Sequence, residues 1–507
     1  MKQLLVALDI GSTNLKAQAF DTQGREVLSA KRQTPFMLNE EGVYYSADTL
    51  WNRAAEALRE LTSKCEDEIA AIAVTGFGND GIPLDRDGKE VYPFISWKCS
   101  RTVPQFERFM EEFGRKRMFD CTGMQARPID AIYKLMWLKE HHPECMDRMH
   151  SFLMVEDYIN FRLTGERVSD HTVSFTSGLY DPATQSWSKE VADAAGLPLD
   201  MMSPVLQSGT VIGKVGSAAA QQTGLPEGTK VVLGGWDITC SSFALGGFRK
   251  GALMDIMGSW ETLMPCAGRY HRNDTIYNLG LNACHHVAAG KFAYPVYFVS
   301  SSIVEWFLGS YYGKKQDELT DVSLYKAFIG DAMRAQPGCR GAMFLPHIYG
   351  SAAPVVDGRS RGAFVGLNEF TGKPEMARAI LEGLSQLCRQ VLAGCSGFME
   401  DGIENIIVCG GGSRNSEWCR IKADVCGKDI QLSSLDESTA LGAALKAGVG
   451  AGIFANDEQA VNAICDVRSP ILHDPEKQRI YAAQGAIYDQ LYGALRDINR
   501  HIYDLNT

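Results

Sequence analysis

An aspartate followed closely by glycine, hydroxyl residues and a lysine is a grouping suited to holding phosphate, and the chain carries one near its start: Asp9, Gly11, Ser12, Thr13 and Lys16. Gly11 lets backbone approach a ligand, while Ser12, Thr13 and Lys16 supply hydroxyl and cationic donors. Asp9 sits where a phosphate-bound Mg2+ would lie, and Mg2+, which keeps most of its waters, needs only one or two carboxylates beside the phosphates. The same residues also read as an ordinary hairpin capped by an aspartate. A second carboxylate, Asp237, ends the strand KVVLGGWD. At a strand end beside glycines it can reach a bound hydroxyl and take its proton during phosphoryl transfer to an alcohol. Its plainer reading is a cap on the segment that follows. The third candidate is IIVCGGGSRNSEWCRIKADV, where a buried strand runs into Gly410, Gly411 and Gly412 and then a helix that Ser413 or Asn415 can cap. Such a turn suits contact with a flat base or a phosphate, and suits a helix cap alone equally well.

GFGNDG at residues 76–81 has the letter pattern of a dinucleotide-binding turn. That turn must open a helix, whereas IPLDRDGKEVYPF reads as strand, turn and strand, so a nicotinamide site is not expected. The glycines read instead as admitting a small ligand, with Asn79 and Asp80 as hydrogen-bonding side chains, Trp97 as an apolar wall and Arg101 as a donor. A core tryptophan and a surface arginine are the plainer readings of the last two. Neither G-x-x-x-x-G-K-[ST] nor the protein-kinase catalytic set occurs. Fourteen cysteines from Cys65 to Cys465 form no C-x-x-C pair and read as buried thiols. Adjacent side chains diverge, so His141-His142 and His285-His286 are not expected to bind metal.

Strands and helices in mixture must position these groups. LLVALDIGSTNLKAQAFDTQGREVLSA reads as a three-stranded antiparallel meander. Periodicity then predicts strands at 69–75, 230–233, 252–256 and 403–409, with helices at 49–61, 131–141, 375–394 and 416–426, which makes the chain α/β. DIGS at Asp9 recurs as DIMGS at Asp255, as if two strand-turn-strand units faced one ligand. A short Asp/Gly/Ser turn also recurs by chance. From this echo and the glycines we place a boundary near Gly246-Gly247, dividing the chain into 1–246 and 247–507. With 507 residues, 45% of them hydrophobic, the chain can bury a large core, and its length suits two to four domains. Fifty basic against 61 acidic residues, a net charge of -11, argues against nucleic acid or an anionic membrane as partner. No apolar window approaches the roughly 18 residues of a membrane span, and a soluble cytoplasmic protein is expected.

RGAFVGL from Arg361 with EMARAILEG from Glu375, and KLMWLKEH from Lys134, resemble the two signatures of the FGGY carbohydrate kinases, with a departure at Asp130-Ala131-Ile132. The resemblance runs from residue 1 to about 450. It implies two actin-like ATPase domains of the ribonuclease-H type with a catalytic cleft between them, the first on the sugar and phosphate side and the second on the nucleotide side. VTGFGNDGIPLDRDGKEVYPFISWKCSRT, YKLMWLKEHHPE and VCGGGSRNSEWCRIKA are most similar to the family's L-fuculose kinases. Asn79, where those carry a small apolar residue, and Trp236-Asp237-Ile238-Thr239 depart from that pattern, so ribulose, xylulose, rhamnulose and glycerol stand as alternative substrates.

By position, the resemblance implies that Asp237 is the base toward a terminal sugar hydroxyl and that Asp9 holds Mg2+. It puts Ser12, Thr13 and Lys16 near the phosphates of ATP, with Gly258 and Ser259 facing them from the second domain. Gly411, Gly412 and Asn415 border the adenosine, and Asn79, Asp80, Trp97 and Arg101 lie on the sugar side. The implied partners are a small sugar and ATP, and a homodimer is compatible with them. The rival class, a nucleotide-switched binding protein of the actin or chaperone type, shares the phosphate hairpins but not the sugar-kinase signatures, and no peptide-binding module is evident after residue 450.

Overall fold

The computed structural model describes residues 2–39, 42–313, 315, 322–399, 402–464, 466 and 468–505. QLLVALDI is apolar almost without a break, the pattern of a strand covered on both faces. It forms β1 (Gln3–Ile10) in the middle of the first sheet. Around it stand β2 (Asn14–Phe20), β3 (Glu26–Gln33), β4 (Glu68–Gly76), β5 (Val211–Lys214) and β6 (Lys230–Trp236), in the spatial order β5-β6-β4-β1-β2-β3. The expected meander is present as antiparallel β1-β2-β3, with β4 and β6 added in parallel.

The second sheet repeats this plan with β7 (Ala252–Met257), β8 (Trp260–Ala267), β9 (Val296–Val299), β10 (Asn405–Cys409), β11 (Asp429–Leu432) and β12 (Ser469–Ile471). β7 pairs antiparallel with β8 and parallel with β10, β8 pairs antiparallel with β9, β11 extends the parallel set, and β12 closes it antiparallel, as β5 does in the first sheet. The DIGS and DIMGS echo is therefore a topological repeat, each copy turning the central hairpin of its sheet.

The helices used below are α1 (Ala47–Ser63), α2 (Ala131–His141), α3 (Val155–Thr164), α4 (Asp237–Ala244), α5 (Lys373–Cys395), α6 (Ser416–Cys426), α7 (Ser438–Ala451) and α8 (Pro475–Asp504). α4 follows β6 and α7 follows β11, and the two helices cross each other. A Cβ added to Gly442 of α7 would lie 1.9 Å from the Cys240 carbonyl oxygen of α4, so the crossing requires glycine there. α7 lies on β1, β4 and β6, and its Ala440, Leu441, Ala443, Ala444 and Ala447 share a core with Leu5, Ala7, Ala71, Ala73 and Val232. A cut at 246–247 thus separates the two sheets but not their cores.

GFGNDG opens no helix: Gly81–Leu84 is a strand paired with Ser151–Met154. Of the thirteen described cysteines all are free and ten are buried, while Cys465 lies outside the described residues. Among the described residues no helix is long and apolar enough to cross a membrane.

Candidate active site

Parallel β1, β4 and β6 end together, as ligand-binding edges of α/β sheets do. Asp9 of β1 is level with Thr75 of β4, which is level with Gly235 of β6, and the Thr75 hydroxyl donates to the Gly235 carbonyl at 2.7 Å. Gly235 has φ 135°, and a Cβ there would press on Val287, Thr172 and Asp170. The register places Asp9 and Asp237, the first residue of α4, at one edge. Burial, then the nearby Asp9 and Glu156 carboxyls, push Asp237 well above the usual carboxylate range, against the one hydrogen bond its Oδ1 accepts, from the Ile238 N–H at 2.6 Å. Burial raises Asp9 to about 7, with Lys16 opposing and Glu437 adding to the rise. Two carboxyls with pKa raised by burial, one of them pushed further by the other, at the sheet edge where β1 turns through Ser12 and Thr13, are an oxygen donor set that fits a hard dication.

The β1-β2 turn, the first phosphate candidate, is braced by Thr34, whose hydroxyl donates to the Gly11 carbonyl at 2.6 Å and whose N–H donates to the Thr13 carbonyl at 3.0 Å. Lys98 Nζ donates to the Ser12 carbonyl at 3.3 Å. Lys16, expected at the phosphates, here holds Glu437, the residue before α7, at 2.6 Å. From the second sheet, Gly258 and Ser259 form the β7-β8 turn, and their carbonyls accept from the N–H groups of Ser301 and Ser300. The Gly410 turn packs directly behind β7: Gly410 has φ 90°, and a Cβ there would come within 2.7 Å of the Met257 carbonyl oxygen. Gly411 faces open space, whereas Asn415 caps α6 by accepting from the Trp418 N–H at 3.1 Å. The turn thus lies next to the second hairpin.

The sugar-side candidates Asn79 and Asp80 are buried. Lys134 of α2, also buried, donates to an Asp80 carboxylate oxygen and, at 2.7 Å, to the Asn79 carbonyl. Burial raises Asp80 to about 6 against the pull of Lys134 and of the Trp97 N–H. Asn79 holds φ 61° and donates its N–H to the Thr176 hydroxyl at 2.9 Å, leaving its Oδ1 buried without a partner. The indole N–H of Trp97 is also buried and unpartnered. Arg101 packs 4.8 Å over the Trp137 ring, donates its Nε–H to Cys99 Sγ at 3.2 Å and reaches the Tyr92 hydroxyl at 3.4 Å.

Several members of the site carry no motif. Glu156 of α3 accepts the Gly78 N–H at 2.9 Å and sits behind Gly76, within electrostatic reach of Asp80 and Asp237. Lys134 belongs to a signature, yet its pairing with Asp80 was not expected. Asp130, Arg127 and Tyr297 continue the same ring of charged and polar groups from Lys134 back to Asp237. Only the acid at a helix start after SFLM hinted at Glu156. A different trio, Asp255, Glu261 and Cys388, is close enough to ligate a metal, but Lys422 Nζ sits on both carboxylates at 2.5 and 2.7 Å.

Glu156 gives a signed pH prediction. Burial first, then Asp170 and Asp80, raise it from 4.5 to about 7. A carboxyl with a raised folded pKa binds its proton more tightly when folded, so its contribution to stability is full below pH 4.5, is lost as pH rises toward 7, and is a penalty above that. Glu156→Gln removes the penalty and is expected to stabilise the protein at pH 8 relative to pH 5 by up to the order of 3 kcal/mol. Urea titrations at the two pH values check this, and equal effects at both would contradict a retained proton.

The sequence pattern described as the FGGY family of carbohydrate kinases, N-terminal domain, matches residues 4–244, and that family's C-terminal domain matches residues 288–451. An L-fuculokinase of Escherichia coli O157:H7 is 30% identical over 469 residues, covering 91% of this chain and 95% of that protein. An autoinducer-2 kinase of Klebsiella pneumoniae subsp. pneumoniae is 26% identical over 510 residues, covering 96% and 93%. The crystal structure of a xylulose kinase from Rhodospirillum rubrum superimposes with a TM-score of 0.88 over 98% of this chain and 99% of that one at 23% identity, a likeness of fold. The α/β class with two actin-like, ribonuclease-H-like domains is borne out. With both of its domains matched in order along one chain, and the same strand-turn-strand hairpin at the centre of both sheets, the chain belongs to the FGGY family of carbohydrate kinases, phosphotransferases acting on sugar hydroxyls.

Proposed function

We propose that the chain transfers the terminal phosphoryl group of Mg-ATP to a terminal hydroxyl of a ketose, L-fuculose or a close relative. The observation that carries this reading is the pairing of Asp9 and Asp237 at the edge of the first sheet, with phosphate turns to one side and a buried polar ring to the other. The similarity to L-fuculokinases over most of the chain supports the choice of sugar, and the 26% identity to an autoinducer-2 kinase keeps other polyhydroxylated substrates in view.

Asp237 in its ionised form accepts the proton of the attacking hydroxyl, and its raised pKa makes it the stronger base once ionised. Asn79, Asp80 and Trp97 orient the sugar. Ser12, Thr13 and Lys16 hold the phosphates from residues 1–246, Gly258 and Ser259 hold them from residues 247–507, and Gly411, Gly412 and Asn415 border the adenosine. Asp9 would hold Mg2+, which when bound neutralises charge on the phosphates. Lys16 reaches phosphate by exchanging Glu437 for it. Closure about the α4-α7 crossing would bring the two hairpins together and exclude water, a competing nucleophile.

The test is ADP release from Mg-ATP with L-fuculose, D-ribulose, L-xylulose, D-xylulose, L-rhamnulose or glycerol, against a no-sugar control. We expect L-fuculose to give the highest rate. Another ketose in first place would move the specificity and keep the mechanism, whereas no rate above the control would reject the ketose reading.

A further inference from the structure

We propose that the sugar pocket is completed by Tyr297 of the second half of the chain, acting with Arg127 and Asp130 of the first, and that these three groups bind hydroxyls of a neutral polyol remote from the phosphorylated one. The inference rests on the ketose-kinase reading and extends it to a specificity contact. Asp130, the residue before α2, is fully buried. Its Oδ2 accepts the Arg127 N–H at 2.8 Å, while its Oδ1 has no hydrogen-bond partner and stands 3.9 Å from the Arg127 guanidinium. Arg127 lies 5.1 Å over the Tyr297 ring, and its Nε is buried and unpartnered. The Tyr297 hydroxyl on β9 is likewise buried and unpartnered, within electrostatic reach of Arg127, Asp237 and Asp130.

Buried polar groups in native folds are almost always satisfied, so three orphans from two elements, converging beside the candidate base, point to a ligand that satisfies them. The wall they form is fixed. The Gln125 N–H donates to Asn282 Oδ1 at 2.9 Å, the Gln125 amide to the Tyr277 carbonyl at 2.9 Å, and the Ala283 N–H to the Gly123 carbonyl at 2.8 Å. Arg127 offers a donor, Asp130 an acceptor and Tyr297 both, which matches hydroxyls that donate and accept. A sugar acid would instead bring its carboxylate against Asp130, where like charge repels it, with Arg127 the one cation of the three groups to offset that cost.

Tyr297→Phe keeps the ring and deletes only the hydroxyl. We expect its KM for the best ketose to rise roughly 10- to 100-fold, with the KM for ATP unchanged and the ketose-induced rise in Tm reduced. The Tm of the sugar-free variant should equal or exceed that of the wild type, because the deleted group had no partner. Arg127→Lys, read the same way, is the second variant should Tyr297→Phe not fold. Wild-type turnover of a ketose together with an unchanged sugar KM in the folded variant would overturn the contact and leave the kinase reading standing. No wild-type turnover of any ketose would overturn both. Preference of the wild type for D-gluconate over every ketose would overturn the neutral-polyol class.

Discussion

Asp237→Asn is expected to lower kcat by roughly a thousandfold to ten-thousandfold while leaving the folded protein at least as stable as the wild type. The amide keeps the size of the side chain, and its oxygen can still accept the Ile238 N–H. It cannot take a proton from a hydroxyl. It also removes a carboxyl that burial, Asp9 and Glu156 all disfavour in its charged form, so no folding penalty accompanies the loss of rate. Turnover at saturating Mg-ATP and ketose, set beside a melting curve, separates the two effects, and near-normal turnover would remove Asp237 as the base. The pH dependence carries the same sign. The base works only when ionised, so kcat/KM of the wild type should fall with decreasing pH at a higher pH than an ordinary aspartate would give.

The second large effect belongs to stability. Lys422 of α6 is fully buried, with its ammonium 2.5 Å from Asp255 and 2.7 Å from Glu261, both fully buried as well, and Glu261 in turn accepts the Ser300 hydroxyl at 2.7 Å. Against the cost of burial, the two carboxylates hold Lys422 charged, its pKa well above the usual lysine value. Lys422→Met leaves both carboxyls without their counter-charge and should destabilise the chain by about 3–5 kcal/mol, whereas replacing all three groups together with neutral ones should recover much of that loss. Denaturant unfolding of the single and triple variants measures both. A single variant within about 1 kcal/mol of the wild type would mean that the carboxyls are neutral without the lysine.

Local signals explain which elements could be read in advance. α2 and α6 begin and end where expected: Asp130 precedes α2 and His142-Pro143 follows it, while Asn415 caps α6 and the left-handed Gly427 stops it. The β1-β2-β3 meander carries its own turns. Contacts between distant residues were not legible. Lys16 looked like a free phosphate ligand because Glu437 is 421 residues away, and Lys134 gave no sign that Asp80 was its partner. Glu156 shares its helix start with Asp157 and Tyr297 sits in an apolar strand, and the local sequence of neither shows the ring that packing assembles. α7 shows the same limit at the scale of a whole helix, since its run of alanines and glycines states that it packs closely and leaves open against what.

The position of α7 has a consequence for how the protein is made. Leu5, Ala7, Ala71, Ala73 and Val232 are covered by α7, whose last residue is Ala451. During synthesis from the N-terminus, the first sheet therefore waits, with one apolar face open, until the second is nearly complete. The first half is thus covered by a helix that the second half supplies, and a chain released before residue 438 lacks the helix that seals its oldest part.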